Sequence, residues 1–297
     1  MKCLYLYNPE SGKGKILKHI PYIKNKLSAY YDEVVVLETS VKEVTKQIYD
    51  LVPSFDVIVF SGGDGSFSHV VNGIMKYEYR DRPILGYIPS GTTNDMARNL
   101  KLPKKSIKKS LDIILKGSYQ KYDAGKINDQ YFVYVAGIGT TTQVSWRTKR
   151  SNKKAFGRAA YFGNALNDFF KMESINASIE IDDKIYEYKS PLILICNTKT
   201  TGRLFINKNR NLNDGHFEVY IVKGEKIRGA FKVIFSFIAG AFGIKNMNCY
   251  HYFKTNFVRI KHTSQIPWCI DGEKGMNGNV EIKCIPNAFK IFVKDKK

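Results

Sequence analysis

Asp64 is the residue with the most chemistry around it. It stands in the run Ser61-Gly62-Gly63-Asp64-Gly65-Ser66, directly after the apolar stretch Val57-Ile58-Val59-Phe60. Glycines let a backbone bend sharply and approach a ligand closely, because they carry no Cβ. A helix predicted to open after this turn, over Ser66–Met75, aims its unpaired N–H groups and positive dipole end at it, which suits a phosphate. A carboxylate in such a turn is at odds with simple anion binding. It makes sense where a divalent cation lies between carboxylate and phosphates, as in phosphoryl transfer. Taken alone, the run also fits an ordinary tight turn between strand and helix.

The elements that must carry this turn repeat. Strands are predicted at 2–7, 33–37, 56–60 and 84–88, with helices between them. The first strand leads into Asn8-Pro9-Glu10-Ser11-Gly12-Lys13-Gly14-Lys15 and a helical stretch to Leu27. The strand at 84–88 leads into Pro89-Ser90-Gly91-Thr92-Thr93-Asn94-Asp95 and a short helix. Strand–helix alternation with short links implies a parallel sheet covered by helices on both faces. Three polar, glycine-containing loops then gather at the carboxyl ends of the strands, where open α/β sheets bind ligands. Two common nucleotide motifs are not matched. Ile16 stands where a Walker A loop has Ser or Thr, and Ser68 stands where a dinucleotide fingerprint has its third glycine.

At 297 residues the chain is long enough for two domains. Its five cysteines are scattered without a C-x-x-C, which fits reduced, buried thiols in a cytoplasmic protein, and a strand close to Met1 predicts no signal peptide. The net charge is +20, and residues 101–160 carry 14 Lys and Arg against three acids. Dense spots lie at 101–109 and 147–154. Without a nucleic-acid motif, such charge fits a solvated basic face or an anionic membrane surface, and nucleic acid is not expected. Residues 233–244, Val-Ile-Phe-Ser-Phe-Ile-Ala-Gly-Ala-Phe-Gly-Ile, are uncharged and bracketed by Arg228, Lys232 and Lys245. They are too few to span a bilayer and fit a buried helix or a lipid-facing one.

After Lys121 the texture changes. Hairpins are predicted around Asn128-Asp129 and Asp182-Asp183, with further strands at 192–197, 217–222, 257–261, 279–284 and 289–293. Helices are predicted near 157–172 and 227–242. The pattern is an antiparallel β domain following an α/β one.

In this order, NPESGKG, FSGGDGSFSHVVNGI, LGYIPSGTTNDMARNL, YDAGKI, NLNDGHFEV and IDGE resemble the diacylglycerol-kinase catalytic family, in particular its bacterial lipid-kinase branch. GGDG alone is shared with NAD kinases and phosphofructokinases; the later motifs make the resemblance specific. It implies an α/β plus all-β fold, with a Rossmann-like nucleotide domain at 1–121, to which a final strand at 288–297 returns, and a β-sandwich lipid-substrate domain at 122–287. It implies ATP and Mg²⁺, a lipid alcohol substrate such as diacylglycerol, reversible attachment of a cytoplasmic protein to anionic membranes, and homodimers as in the bacterial branch. The nucleotide would be lined by Asn8, Pro9, Ser11, Gly12, Gly14, Gly62, Gly63, Asp64, Gly65, Ser66, Gly91, Thr92, Asn94 and Asp95. Asp64, Asp123, Asp271 and Glu273 would be the catalytic acids, with Glu273 as general base. Asp214, with the backbone carbonyls of Asn211 and His216, would hold a structural magnesium ion. Departures before that turn, at Thr201-Gly202 and Ile206-Asn207, bear on the metal site. The alternatives are a soluble-substrate kinase of the NAD-kinase type, or a catalytically idle relative that binds ATP or membranes.

Overall fold

The structure, a computed structural model, describes residues 1–40, 43–104, 106–139, 174–201, 204–205, 211–223 and 250–295. The predicted helices near 157–172 and 227–242, the basic spot 147–154 and the apolar segment 233–244 lie outside these residues. The chain divides into two compact units, Met1–Ala124 with Ile285–Lys297, and Gly125–Cys284.

The first unit contains β1 (Lys2–Tyr7), α1 (Ile20–Ser28), β2 (Glu33–Glu38), α2 (Val44–Leu51), β3 (Val57–Gly62), α3 (Asp64–Ile74), β4 (Ile84–Pro89), α4 (Asp95–Asn99) and α5 (Ile107–Leu115). β1 lies between β2 and β3, β4 follows β3, and all of these pairs are parallel. The chain thus leaves β1 first to one side and then to the other. The carboxyl ends of β1 and β3 flank that reversal, where a doubly wound sheet opens a crevice. All six residues of β3 are buried, as a central parallel strand with helices on both faces requires. On one face Cys3, Tyr5, Val57 and Val59 pack with Ile23, Leu27, Leu111 and Ile114. Burial of the Cys3 thiol pushes it up to about 12, so it is an inert part of this core.

The predicted helix running to Leu27 is shorter than expected. Two 3₁₀ turns, Ser11–Gly14 and Leu17–His19, precede α1. Pro21 explains this, because a residue without an N–H fits only the first turn of a helix.

The second unit is an antiparallel sandwich. β5 (Tyr119–Ile127) enters it and is followed by β6 (Gln130–Phe132), β7 (Val135–Gly139), β8 (Ile175–Ile181), β9 (Lys184–Ser190), β10 (Leu192–Cys196), β11 (Thr200–Thr201) and β12 (Leu204–Phe205). Then come β13 (Phe217–Val222), β14 (Tyr250–Thr255), β15 (Phe257–His262), β16 (Cys269–Ile270), β17 (Glu273–Lys274) and β18 (Val280–Phe292). Ladders β9-β8-β15-β18 and β14-β13-β10-β7-β16-β17 enclose a core of Ile179, Ile195, Val219, Ile260, Ile282 and the fully buried Trp268. The β8–β9 hairpin turns on Asp182 and Asp183, both at positive φ (49° and 61°), the backbone of a type I′ turn.

The strands predicted at 279–284 and 289–293 are one 13-residue strand, β18. Its alternating burial breaks at Pro286 and Asn287, where Asn287 takes φ 50°. Beyond this irregularity, Lys290 and Ile291 run parallel beside Ile84 and Leu85 of β4 in the first unit.

Candidate functional site

In the first unit, the loops after β1, β3 and β4 are tied into one cluster. The carbonyl of Gly62 accepts the N–H groups of Ser90 (2.9 Å) and Gly91 (3.2 Å) and the hydroxyl of Tyr87 (3.2 Å). Ser90 Oγ donates to Ser11 Oγ at 3.0 Å, and the Asn8 N–H donates to the Ser61 carbonyl at 3.3 Å. Asn8 Oδ1 accepts the Glu10 N–H at 2.9 Å, so its side chain shapes the first loop. The cluster leaves no room for side chains between its backbones. A Cβ on Gly12, which has φ +59°, would stand 2.0 Å from the Ser90 carbonyl oxygen. A Cβ on Gly91 would stand 2.5 Å from the Cα of Gly63. Read from sequence, these glycines allow a ligand's approach; in the structure, Gly12, Gly63 and Gly91 first allow the loops' approach to one another.

Asp64 opens α3, which starts two residues earlier than the sequence suggests, with Gly63 as N-cap. The N–H groups of Asp64, Gly65 and Ser66 have no acceptor within the helix and face the turn. Asp64 Oδ1 accepts the Met96 N–H of α4 at 2.9 Å, while its Oδ2 takes no hydrogen bond among the described residues. The carboxylate thus ties this turn to the third loop, beside the bend that the glycines allow. One open carboxylate oxygen beside unpaired N–H groups fits a cation-bridged phosphate.

Asn94, at φ 51° and buried, donates from its amide to the Gly91 carbonyl at 2.9 Å. Tyr87 is the member of the site that the sequence concealed. Its hydroxyl donates to the Gly62 carbonyl and lies 3.3 Å from Asn94 Oδ1. Burial, with the charges of Asp64 and Asp95 beside it, raises its pKa well above the ordinary phenol range, so it stays a hydrogen-bond donor. A tyrosine in an apolar strand reads as core, and only the fold shows where its hydroxyl points. Thr92 is exposed at the tip of the third loop, while Asp95 is buried on the first turn of α4.

Asp123, also of the first unit, is 1% exposed, and its Oδ1 accepts the Asn287 N–H at 2.8 Å. It lies within β5, pinning the irregularity at Pro286-Asn287 in β18.

In the second unit, Asp271 and Glu273 belong to the β16–β17 hairpin. Asp271 and Gly272 both have positive φ (49° and 85°), a type I′ turn that Asp-Gly favours. Asp271 is buried, and its carboxylate accepts the N–H groups of Val133 (2.8 Å), Tyr134 (3.1 Å) and Val135 (3.0 Å). Those residues form the break between β6 and β7, so the side chain supplies the acceptors that a strand would have found in a ladder. The hydroxyl of Tyr134 donates to the Asp271 carbonyl. Asp271 thus holds the turn, a structural duty beyond the one its sequence motif implies. Glu273, one residue past the turn, is exposed on β17.

At the residues expected to hold a metal, the one carboxylate is engaged by the protein itself. Asp214 Oδ1 accepts the His216 N–H at 3.2 Å, and its Oδ2 pairs with Lys254 Nζ at 3.0 Å. Asn211 Oδ1 accepts the Asn213 N–H at 3.2 Å. Among the described residues, no group of three or more His, Cys, Asp and Glu could hold a metal ion. Nor is any helix among them long and apolar enough to cross a membrane.

Two family models match the chain, the diacylglycerol kinase catalytic domain over residues 2–127 and the YegS C-terminal NAD kinase beta sandwich-like domain over residues 134–293. A diacylglycerol kinase of Bacillus subtilis (strain 168) is 30% identical over 275 residues, covering 91% of this chain and 89% of that protein. One of Staphylococcus saprophyticus is 31% identical over 278 residues, with 91% and 88% covered. A crystal structure from Bacillus anthracis str. Sterne superposes with a TM-score of 0.83 at 25% identity, covering 99% of this chain and 95% of that one.

Proposed function

The chain belongs to the diacylglycerol kinase family, and from that premise we propose that it transfers the γ-phosphoryl group of ATP to a lipid hydroxyl, diacylglycerol being the first candidate. The observation that carries the reading is the interlocked loop cluster with Asp64 at the start of α3. It offers unpaired N–H groups and a carboxylate oxygen where a metal–triphosphate would need both. Asp64 and the neighbouring Asp95 are the residues proposed to hold magnesium. The ion, when bound, would neutralise charge on the transferring phosphoryl group.

A lipid hydroxyl is a poor nucleophile, so its proton must pass to a base. Glu273 is proposed for this, being an exposed carboxylate on a turn that Asp271 locks. Asp271 and Asp123 are proposed as positioning residues, since both spend carboxylate oxygens on backbone N–H groups. Reversible attachment to anionic membranes is proposed from the basic stretch 101–109, whose Lys101, Lys108 and Lys109 are exposed. Each such lysine adds about 1 kcal/mol near an acidic bilayer.

The test is a panel of acceptors with γ-labelled ATP and magnesium: diacylglycerol, monoacylglycerol, a long-chain base, a polyprenol and NAD. Label on a lipid alone supports the reading. Label on NAD favours a soluble-substrate kinase, and ATP binding without label on any acceptor favours an idle relative.

A further inference from the structure

The turn before β13 carries its own cation. Between Ile206 and His216 the sequence Ile-Asn-Lys-Asn-Arg-Asn-Leu-Asn-Asp-Gly-His holds a single acid, Asp214, and two permanent positive charges, Lys208 and Arg210. A magnesium ion takes about six oxygen ligands, several of them waters, and one or two carboxylates supply the charge that holds it. Here the one carboxylate already has both oxygens engaged, Oδ1 by the His216 N–H and Oδ2 by the Lys254 ammonium. The carbonyl oxygen of Asp214 is engaged as well, 2.7 Å from His216 Nδ1. Asp214 is 18% exposed and Lys254 is 47% exposed, so the pair is half sheltered.

A second carboxylate stands across the ladder from Lys254. On β14 it stands directly opposite Glu218 of β13 in the antiparallel register. Glu218 is 2% exposed, and its carboxylate accepts the hydroxyls of Tyr220 (2.7 Å) and Tyr252 (3.3 Å). A lysine flanked by one partly sheltered and one buried carboxylate supplies charge and three N–H donors at the place where a metal would otherwise be needed.

We infer that Lys254 is the resident cation of this turn, holding Asp214 against β14 in place of the structural magnesium ion that the family resemblance implies. The second unit is then stable without metal. The inference concerns this turn alone and does not depend on the proposed reaction.

The full chain is freed of metal with EDTA, dialysed, and assayed without nucleotide for bound divalent ions by mass spectrometry and for Tm with and without millimolar magnesium or calcium. The expected result is well under one ion per chain and a Tm that magnesium leaves unchanged. Lys254→Met should lower Tm by about 1–4 °C, in line with a half-sheltered ion pair. It should also gain stabilisation from added magnesium or calcium, and Asp214→Asn in the same background should abolish that gain. One tightly held divalent ion per wild-type chain, or a wild-type Tm that falls by several degrees in EDTA, overturns the inference. So does a folded Lys254→Met variant with unchanged Tm and no response to metal. Should that variant not fold, the wild-type measurements still decide.

Discussion

The carboxylate of Asp64 on α3 accepts the backbone N–H of Met96 on α4 at 2.9 Å, so one side chain joins the loop after β3 to the loop after β4. The same group therefore has two separable duties, a hydrogen bond made by one oxygen and a charge offered by the whole carboxylate. Asp64→Asn keeps an oxygen for Met96 and removes the charge, whereas Asp64→Ala removes both. Phosphoryl transfer should fall by about 10²-fold or more in each, as expected when a group that stabilises transition-state charge is lost. Only the alanine variant should lose stability, by about 1 kcal/mol or more. Thermal unfolding beside steady-state turnover checks this, and an asparagine variant with normal kcat would remove the charge from the mechanism.

Gly91→Ala tests whether the loops are interlocked. The new methyl would stand 2.5 Å from the Gly63 Cα and 2.7 Å from Asn94 Oδ1, so the loops must part. Overpacking of this kind costs about 1–3 kcal/mol. ATP affinity should weaken alongside Tm, since the displaced segment includes the start of α3. Calorimetric titration with ATP measures it; unchanged affinity in a destabilised variant would separate the cluster from nucleotide binding.

Glu273→Gln preserves shape but cannot take a proton. Its kcat should fall about 10²–10⁴-fold with Tm and ATP affinity nearly unchanged. Asp271→Asn should behave differently. An amide NH₂ would confront one or more of the Val133, Tyr134 and Val135 N–H groups, so Tm should fall together with kcat. If Asp271→Asn loses kcat at full stability, Asp271 takes part in the chemistry directly.

His262 gives a pH signature. Burial holds its pKa below the ordinary imidazole value, outweighing the hydrogen bonds to backbone at Gly278 and Ser264. The unfolded chain therefore binds this proton more readily than the folded one. Its contribution to stability is full above about pH 6.5 and is lost as pH falls toward the lowered folded value. His262→Gln should flatten the decline in Tm between pH 7 and pH 5 relative to wild type; parallel curves would refute the assignment.

The sequence by itself determined the parallel α/β half, because apolar strands, glycine loops and short links recur in a pattern that only a doubly wound sheet satisfies. It determined the Asp182-Asp183 turn for a local reason: this residue type tolerates positive φ. What it could not decide was where long-range partners meet. That Asp271 is spent on a strand break more than 130 residues earlier, and that Asp123 secures an irregularity at Asn287, depend on hydrogen bonds between segments far apart in the chain. The Tyr87 hydroxyl and the Lys254 ammonium were hidden likewise. A residue type states what a side chain can donate or accept, and only the tertiary structure states to whom.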